Sequence, residues 1–141
     1  MALCLALIMW LTSSLVPPVV VPFGVRVGAA LALGVIGLSI SISGMVSFRR
    51  AKTTINPIKP SATTSLVTSG VYRYTRNPMY LGLSVTLMGW AVFLSNLLAL
   101  LAVPLFVLYI NRFQINPEER VLSSLFGAEY AAYKEKVRRW L

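Results

Sequence analysis

Apolar residues fill long blocks of this chain, and the polar residues are confined between them. The first block covers residues 1–16 and stops at Pro17-Pro18. It lies near the lower length limit for a membrane span, which takes about 17–25 residues. With no basic stretch ahead of it and no small-residue cleavage pattern after it, it is expected to be a membrane helix rather than a cleaved leader. The second block, 24–48, places Ala30, Gly34, Gly37, Ser41 and Gly44 at alternating steps of four and three. That spacing puts small residues on one helix face, where a neighbouring helix can approach closely. The third and fourth blocks, 79–94 and 97–109, meet at Ser95-Asn96, so they predict a helical hairpin. Pro104 is expected to kink its second arm and open space there.

Two polar stretches interrupt this pattern. Residues 49–70 carry two prolines and many Ser/Thr residues, which argues against one long helix. A connection of that length in a small domain points to function or disorder. The stretch "NPEERVLSSLFGAEYAAYKEKVRRW" repeats Leu122, Phe126, Tyr133, Val137 and Trp140 at helical spacing. It predicts an amphipathic C-terminal helix over 117–141 at the cytoplasmic face, with a bend expected at Gly127 and Arg138 and Arg139 in its last turn. The fold class is therefore all-α: a single domain, 1–141, forming a small transmembrane helical bundle of about four crossings. It divides into two helices in 1–48, a cytoplasmic connection over 49–78, a hairpin over 79–112 and the C-terminal helix.

Composition agrees with a multi-pass membrane protein: 57% of residues are hydrophobic and 12% charged, against about 25% charged in soluble domains. The net charge of +9 raises the question of nucleic acid, but the layout answers it. Twelve of the thirteen basic residues lie in 49–76 or 112–139, and only Arg26 falls elsewhere. Basic clusters flanking apolar spans mark cytoplasmic loops. No nucleic-acid role is assigned. No histidine and a single cysteine, Cys4, exclude a Ser-His-Asp triad, an internal disulfide and the usual Cys/His metal centre. Chemistry falls to Arg, Glu, Tyr, Asn and backbone groups.

Asn77-Pro78 and Asn116-Pro117 each read as a helix start, with Asn as cap and Pro at the first helical position. Glu118 and Glu119 then fall in a first turn, where they complement the helix dipole, Glu119 at the third position of a capping box. Arg76, Tyr74 and Tyr80 read equally as interfacial anchors. The same groups also form a candidate site. Helix amides and Arg76 attract a carboxylate, and paired glutamates suit an ammonium or ribose hydroxyls. S-adenosylmethionine carries both ends.

The stretch "SLVTSGVYRYTRNPMYLG", followed by a hairpin, "EE" and "FGAEYAAY", resembles the integral membrane methyltransferases that include isoprenylcysteine carboxyl methyltransferases and, more distantly, phospholipid methyltransferases. The resemblance covers about 64–137. It implies S-adenosylmethionine as cofactor and a lipophilic or prenylated acceptor. Position by position, it implies cofactor contacts from Thr64, Ser65, Leu66, Val67, Tyr72, Asn77, Pro78, Met79, Tyr80 and Glu118. Arg76, Arg112 and Glu119 are the candidate catalytic residues; the family's acceptor-side arginine aligns with Gln114, and Arg112 lies two residues earlier. The family's histidines stand here as Asn77 and Thr64. Absence of a histidine to deprotonate an amine favours a carboxylate or thiol acceptor. Phospholipid amine methylation, a non-catalytic module that keeps the fold, and a basic helix docking to anionic lipid are the alternatives.

Overall fold

The computed structural model describes residues 2–51 and 65–141. All regular structure among them is helical. The first apolar block folds as α1, Ala2–Thr12, which tightens into a 3-10 turn at Ser13–Leu15 before the Pro17-Pro18 pair. Eleven residues rise only about 16 Å at 1.5 Å each, roughly half a hydrocarbon core. The second block forms α2, Phe23–Arg50, and the hairpin forms α3, Pro78–Leu94, and α4, Leu97–Ile110. α5 covers Asn116–Lys136.

The α4–α5 boundary departs from the sequence expectation. Asn116-Pro117 does not start a new helix, and Asn116 is not a cap. A π-helical turn, Asn111–Ile115, carries the chain from α4 directly into α5, giving one run from Leu97 to Lys136. Both residues flanking the turn are right-handed helical, and the Asn116 amide donates to the Asn111 carbonyl. Proline inside a helix removes a donor and crowds the carbonyl four residues back. A widened turn just before Pro117 accommodates both effects. The helix also continues through Pro104. Two helices, α2 and this continuous run, are long and apolar enough to cross a membrane; α1 and α3 are shorter apolar helices.

The chain groups into two units. The first comprises Met1–Ser39 and Gly82–Tyr109. Its organising contact is the small face of α2 against α3. A β-carbon on Gly37 would collide with the Gly82 carbonyl and Thr86. One on Gly89 would lie 3.0 Å from the Ala30 carbonyl oxygen. Trp90 Nε1 donates to the Ala6 carbonyl at 3.0 Å and ties α1 to α3. Asn96 is fully buried. Its Nδ2 donates to the Ser13 and Val16 carbonyls at 3.0 and 2.9 Å, while its Oδ1 caps α4 by accepting the Leu98 amide. Ser95 turns the hairpin at a φ of 50°. The isolated Arg26 donates through Nε and Nη2 to the Phe93 carbonyl near the end of α3, which satisfies two of its donors within an apolar unit. Leu31, Val35, Leu38, Leu101, Leu105 and Leu108 are exposed on α2 and α4, an outer surface suited to lipid.

The second unit comprises Ile40–Leu81 and Ile110–Leu141. Here Gly44 lets α2 approach the start of α3: an added β-carbon would lie 3.0 Å from Met79 Cγ and 3.1 Å from Pro78 Cγ. Ser41 Oγ donates to the Met79 carbonyl. Phe48 meets Tyr72 edge-on, with ring centroids 5.3 Å apart. α5 breaks at Gly127, whose φ of 47° and ψ of −117° suit glycine alone. Beyond the break, Tyr130, Tyr133 and Val137 form a buried cluster with Leu66, Leu122 and Phe126. α5 ends at Lys136, and Val137 is extended. Arg138 and Arg139 are therefore not in its last turn, as the sequence pattern predicted; Lys134 and Lys136 are.

Candidate functional site

The second unit gathers most of the predicted site residues. Residues 70–73 make a single 3-10 turn. Its Tyr72 is buried, and the Tyr72 carbonyl accepts the Tyr133 hydroxyl at 2.7 Å. Burial first, and the nearby Tyr133 and Glu118 next, push the Tyr72 hydroxyl above its ordinary pKa, so it stays a neutral phenol at physiological pH. Val67 is buried, Leu66 packs on the tyrosine cluster, and Ser65 Oγ donates to the Ala51 carbonyl at 3.5 Å. Thr64 lies outside the described residues.

α3 starts after Asn77, whose carbonyl accepts the Leu81 amide at 2.9 Å. The Asn77 side chain reaches across the chain: its Nδ2 donates to the Arg139 carbonyl at 3.0 Å. The Thr75 hydroxyl donates to that same carbonyl at 3.2 Å, and the Arg76 amide donates to the Arg138 carbonyl at 3.0 Å. Three bonds thus clasp the segment after α5 onto residues 75–77.

The two glutamates face different partners. Glu118 Oε1 accepts the Tyr80 hydroxyl at 2.7 Å and Gln114 Nε2 at 3.0 Å. Glu119 takes the Arg139 guanidinium as a fork, Nη2 to Oε2 at 2.6 Å and Nε to Oε1 at 3.2 Å. Arg76 Nη2 lies 3.4 Å from Glu119 Oε1. Glu119 is therefore no capping-box residue; its carboxylate lies between two arginines. Arg76 is the more unusual of the pair. Its side chain is 12% exposed, and its Nε and Nη1 are buried with no hydrogen-bond partner among the described residues. Buried donors are nearly always satisfied, so this guanidinium is an exception among the described residues.

Among the residues singled out in the sequence, Tyr80 meets Glu118, Arg76 meets Glu119, Asn77 meets the Arg139 backbone, and Pro78 and Met79 lie against Gly44. Arg112 does not join them: it is exposed on the π-helical turn and bonds neither glutamate. Gln114, at the position aligned with the family arginine, contacts Glu118 instead. Arg139 was missed as a site residue, because its partner lies twenty positions away and no local pattern marks the pairing. A separate hollow of about 530 Å³, rimmed by Arg73, Glu129 and Lys136, is lined by none of the predicted site residues.

The sequence profile of the phospholipid methyltransferase family matches residues 25–129, most of the chain and nearly all of this site. The chain belongs to the phospholipid methyltransferase family. Several relatives of this family member are named as isoprenylcysteine enzymes. A probable protein-S-isoprenylcysteine O-methyltransferase of rice is 32% identical over the whole chain and 74% of its own length. The Schizosaccharomyces pombe protein-S-isoprenylcysteine O-methyltransferase is 33% identical over 82% of the chain, which spans only 49% of that relative. An uncharacterized protein of Haemophilus influenzae is 56% identical over 45% of the chain and its own full length. No solved structure matches.

Proposed function

We propose that this family member is an S-adenosylmethionine-dependent membrane methyltransferase acting on a lipophilic carboxylate or thiol, with its site at the cytoplasmic face of a four-crossing bundle. The observation that carries the reading is Arg76, whose buried Nε and Nη1 have no hydrogen-bond partner among the described residues and whose guanidinium stands beside Glu119. That set fits the cofactor. A guanidinium with unmet donors suits its carboxylate, and Glu118, fixed by Tyr80 and Gln114, suits its ammonium or ribose hydroxyls. When bound, S-adenosylmethionine supplies an electrophilic methyl group on a sulfonium.

The protein's own contribution is positioning and electrostatics. Tyr80 and Gln114 hold the Glu118 carboxylate in one orientation before any ligand arrives. Tyr72, buried and close to Glu118, supplies an apolar ring beside that carboxylate. An ionised carboxylate or thiolate acceptor needs no proton removed, which suits a chain without histidine. The names of the rice and fission-yeast relatives support a prenylated cysteine carboxylate as acceptor. A second reading, methylation of a phospholipid amine, is favoured by the description of the family profile.

Calorimetric titration of the purified protein with S-adenosylmethionine tests the first step, and transfer of labelled methyl to acceptor panels tests the second. Saturable binding and methylation of an S-prenylcysteine are expected. Methylation confined to phosphatidylethanolamine vesicles would establish the second reading. A protein that binds no S-adenosylmethionine would be a non-catalytic member of the fold.

A further inference from the structure

Glu119 is shared unequally. The more exposed of its two arginines makes the tighter pair: Arg139, 34% exposed, closes a two-point fork at 2.6 and 3.2 Å. Arg76, 12% exposed, reaches the same carboxylate with one nitrogen at 3.4 Å and lies beside the Tyr130 hydroxyl, while its Nε and Nη1 have no hydrogen-bond partner among the described residues. A fork of two parallel N–H bonds is the strongest pairing a carboxylate makes with arginine. Arg139 is delivered to Glu119 by its backbone, since its own carbonyl accepts from Thr75 and Asn77 and the preceding carbonyl accepts from the Arg76 amide. The residues that clasp the segment are thus the ones that flank and include Arg76. These bonds use main-chain carbonyls, so they do not depend on the Arg139 side chain.

We infer that Arg139 is a positioning residue which, by saturating Glu119, keeps Arg76 under-bonded and its Nε and Nη1 available to an anionic ligand group of the carboxylate class. This inference rests on the donor-binding reading of the site. Glu119 is 15% exposed and has two cationic partners in the structure. Deprived of the Arg139 fork, a buried carboxylate recruits the remaining cation more fully, because leaving it unpaired is costly. Arg76 then turns its free donors inward, and the ligand loses them. On this account Glu119 acts on the ligand only through Arg76. Removing its charge together with Arg139 therefore restores what removing Arg139 alone destroys.

The test is a double-mutant cycle read by calorimetric titration of the full chain in lipid nanodiscs with S-adenosylmethionine. Arg139→Gln is expected to raise the dissociation constant about tenfold or more, the scale of a hydrogen bond to a charged group. The double variant Glu119→Gln/Arg139→Gln is expected to recover most of that loss. Arg139→Lys, with charge but no fork, should fall between parent and Arg139→Gln. If Arg139→Gln does not fold, Arg139→Lys with and without Glu119→Gln runs the same cycle. Parental affinity in the Arg139 variants would overturn the inference. So would a double variant as weak as the Arg139 single variant, because the effect would then be general loss of structure or direct contact by Glu119. Failure of the parent itself to bind would remove the functional reading and this inference with it, and is told apart by that first titration.

Discussion

Replacing Arg76 with methionine separates a binding arginine from a structural one. Arg76 carries two buried nitrogens with no hydrogen-bond partner among the described residues. Each unmet buried donor costs about 1–3 kcal/mol. Against this stands one long contact to Glu119 at 3.4 Å. Methionine relieves the penalty, fills similar volume, and leaves Glu119 its Arg139 fork. The ligand-free variant should therefore unfold at or above the parental temperature. With S-adenosylmethionine the order reverses. A ligand at one hundred times its dissociation constant stabilises its host by about 2.7 kcal/mol. For a chain of this size that is a shift of roughly 6–15 °C. Arg76→Met should lose most of that shift, and Arg76→Lys should keep part of it, since charge survives without the planar fork. Thermal unfolding followed by intrinsic fluorescence, with and without ligand, measures both quantities. A fall of more than about 10 °C in the ligand-free midpoint, corresponding to several kcal/mol, would make Arg76 a structural residue. An undiminished ligand shift would refute its role in binding.

Other consequences are equally direct. Glu118→Gln keeps a partner for Tyr80 but removes the charge, so affinity for S-adenosylmethionine should fall roughly tenfold or more with little change in ligand-free stability; unchanged affinity on titration would reduce Glu118 to a structural hydrogen-bond acceptor. Gly37→Ala forces a β-carbon against the Gly82 carbonyl, a backbone atom that cannot swing away, and should cost about 1–3 kcal/mol. Gly28→Ala, which meets nothing within 4 Å, is the control, and equal melting of the two would refute the close approach. Gly127→Ala sits at positive φ with ψ outside the left-handed helical well and should cost about 1–3 kcal/mol, seen as a lower unfolding midpoint. A cysteine placed at Lys134 should resist impermeant labelling from outside intact cells; ready labelling would reverse the assigned orientation.

Local chemistry made much of this architecture legible. The hairpin turn at Ser95-Asn96, the start of α3 at Pro78 and the small face of α2 each follow from residues adjacent in sequence or one helical turn apart. The motif residues Asn77, Pro78, Tyr80, Glu118 and Glu119 were also recognisable, and they converge. What escaped was of two kinds. Asn116-Pro117 carries the same signal as Asn77-Pro78, yet the chain before it is already helical, so the proline is absorbed by a π-helical turn rather than starting a helix. A cap signal does not say whether the preceding residues will be extended. The second kind is the clasp: Thr75, Arg76 and Asn77 find Arg138 and Arg139 more than sixty residues away. Such pairs have no period, and the helical pattern that placed Arg139 in the last turn concealed that the chain turns extended at Val137.

The clasp also supplies a clock that is independent of chemistry. The Arg76 amide is tied to the Arg138 carbonyl, so its hydrogen can exchange with solvent deuterium only when that bond opens. Its exchange rate therefore counts openings of the clasp at the residue whose side chain the proposed ligand would engage. Because Arg76 contributes its amide to the clasp and its guanidinium to the site, a ligand that favours the closed arrangement must slow exchange at this one backbone position. The amide of Leu100, bonded to the Asn96 carbonyl at the start of α4, supplies a reference that the clasp does not govern.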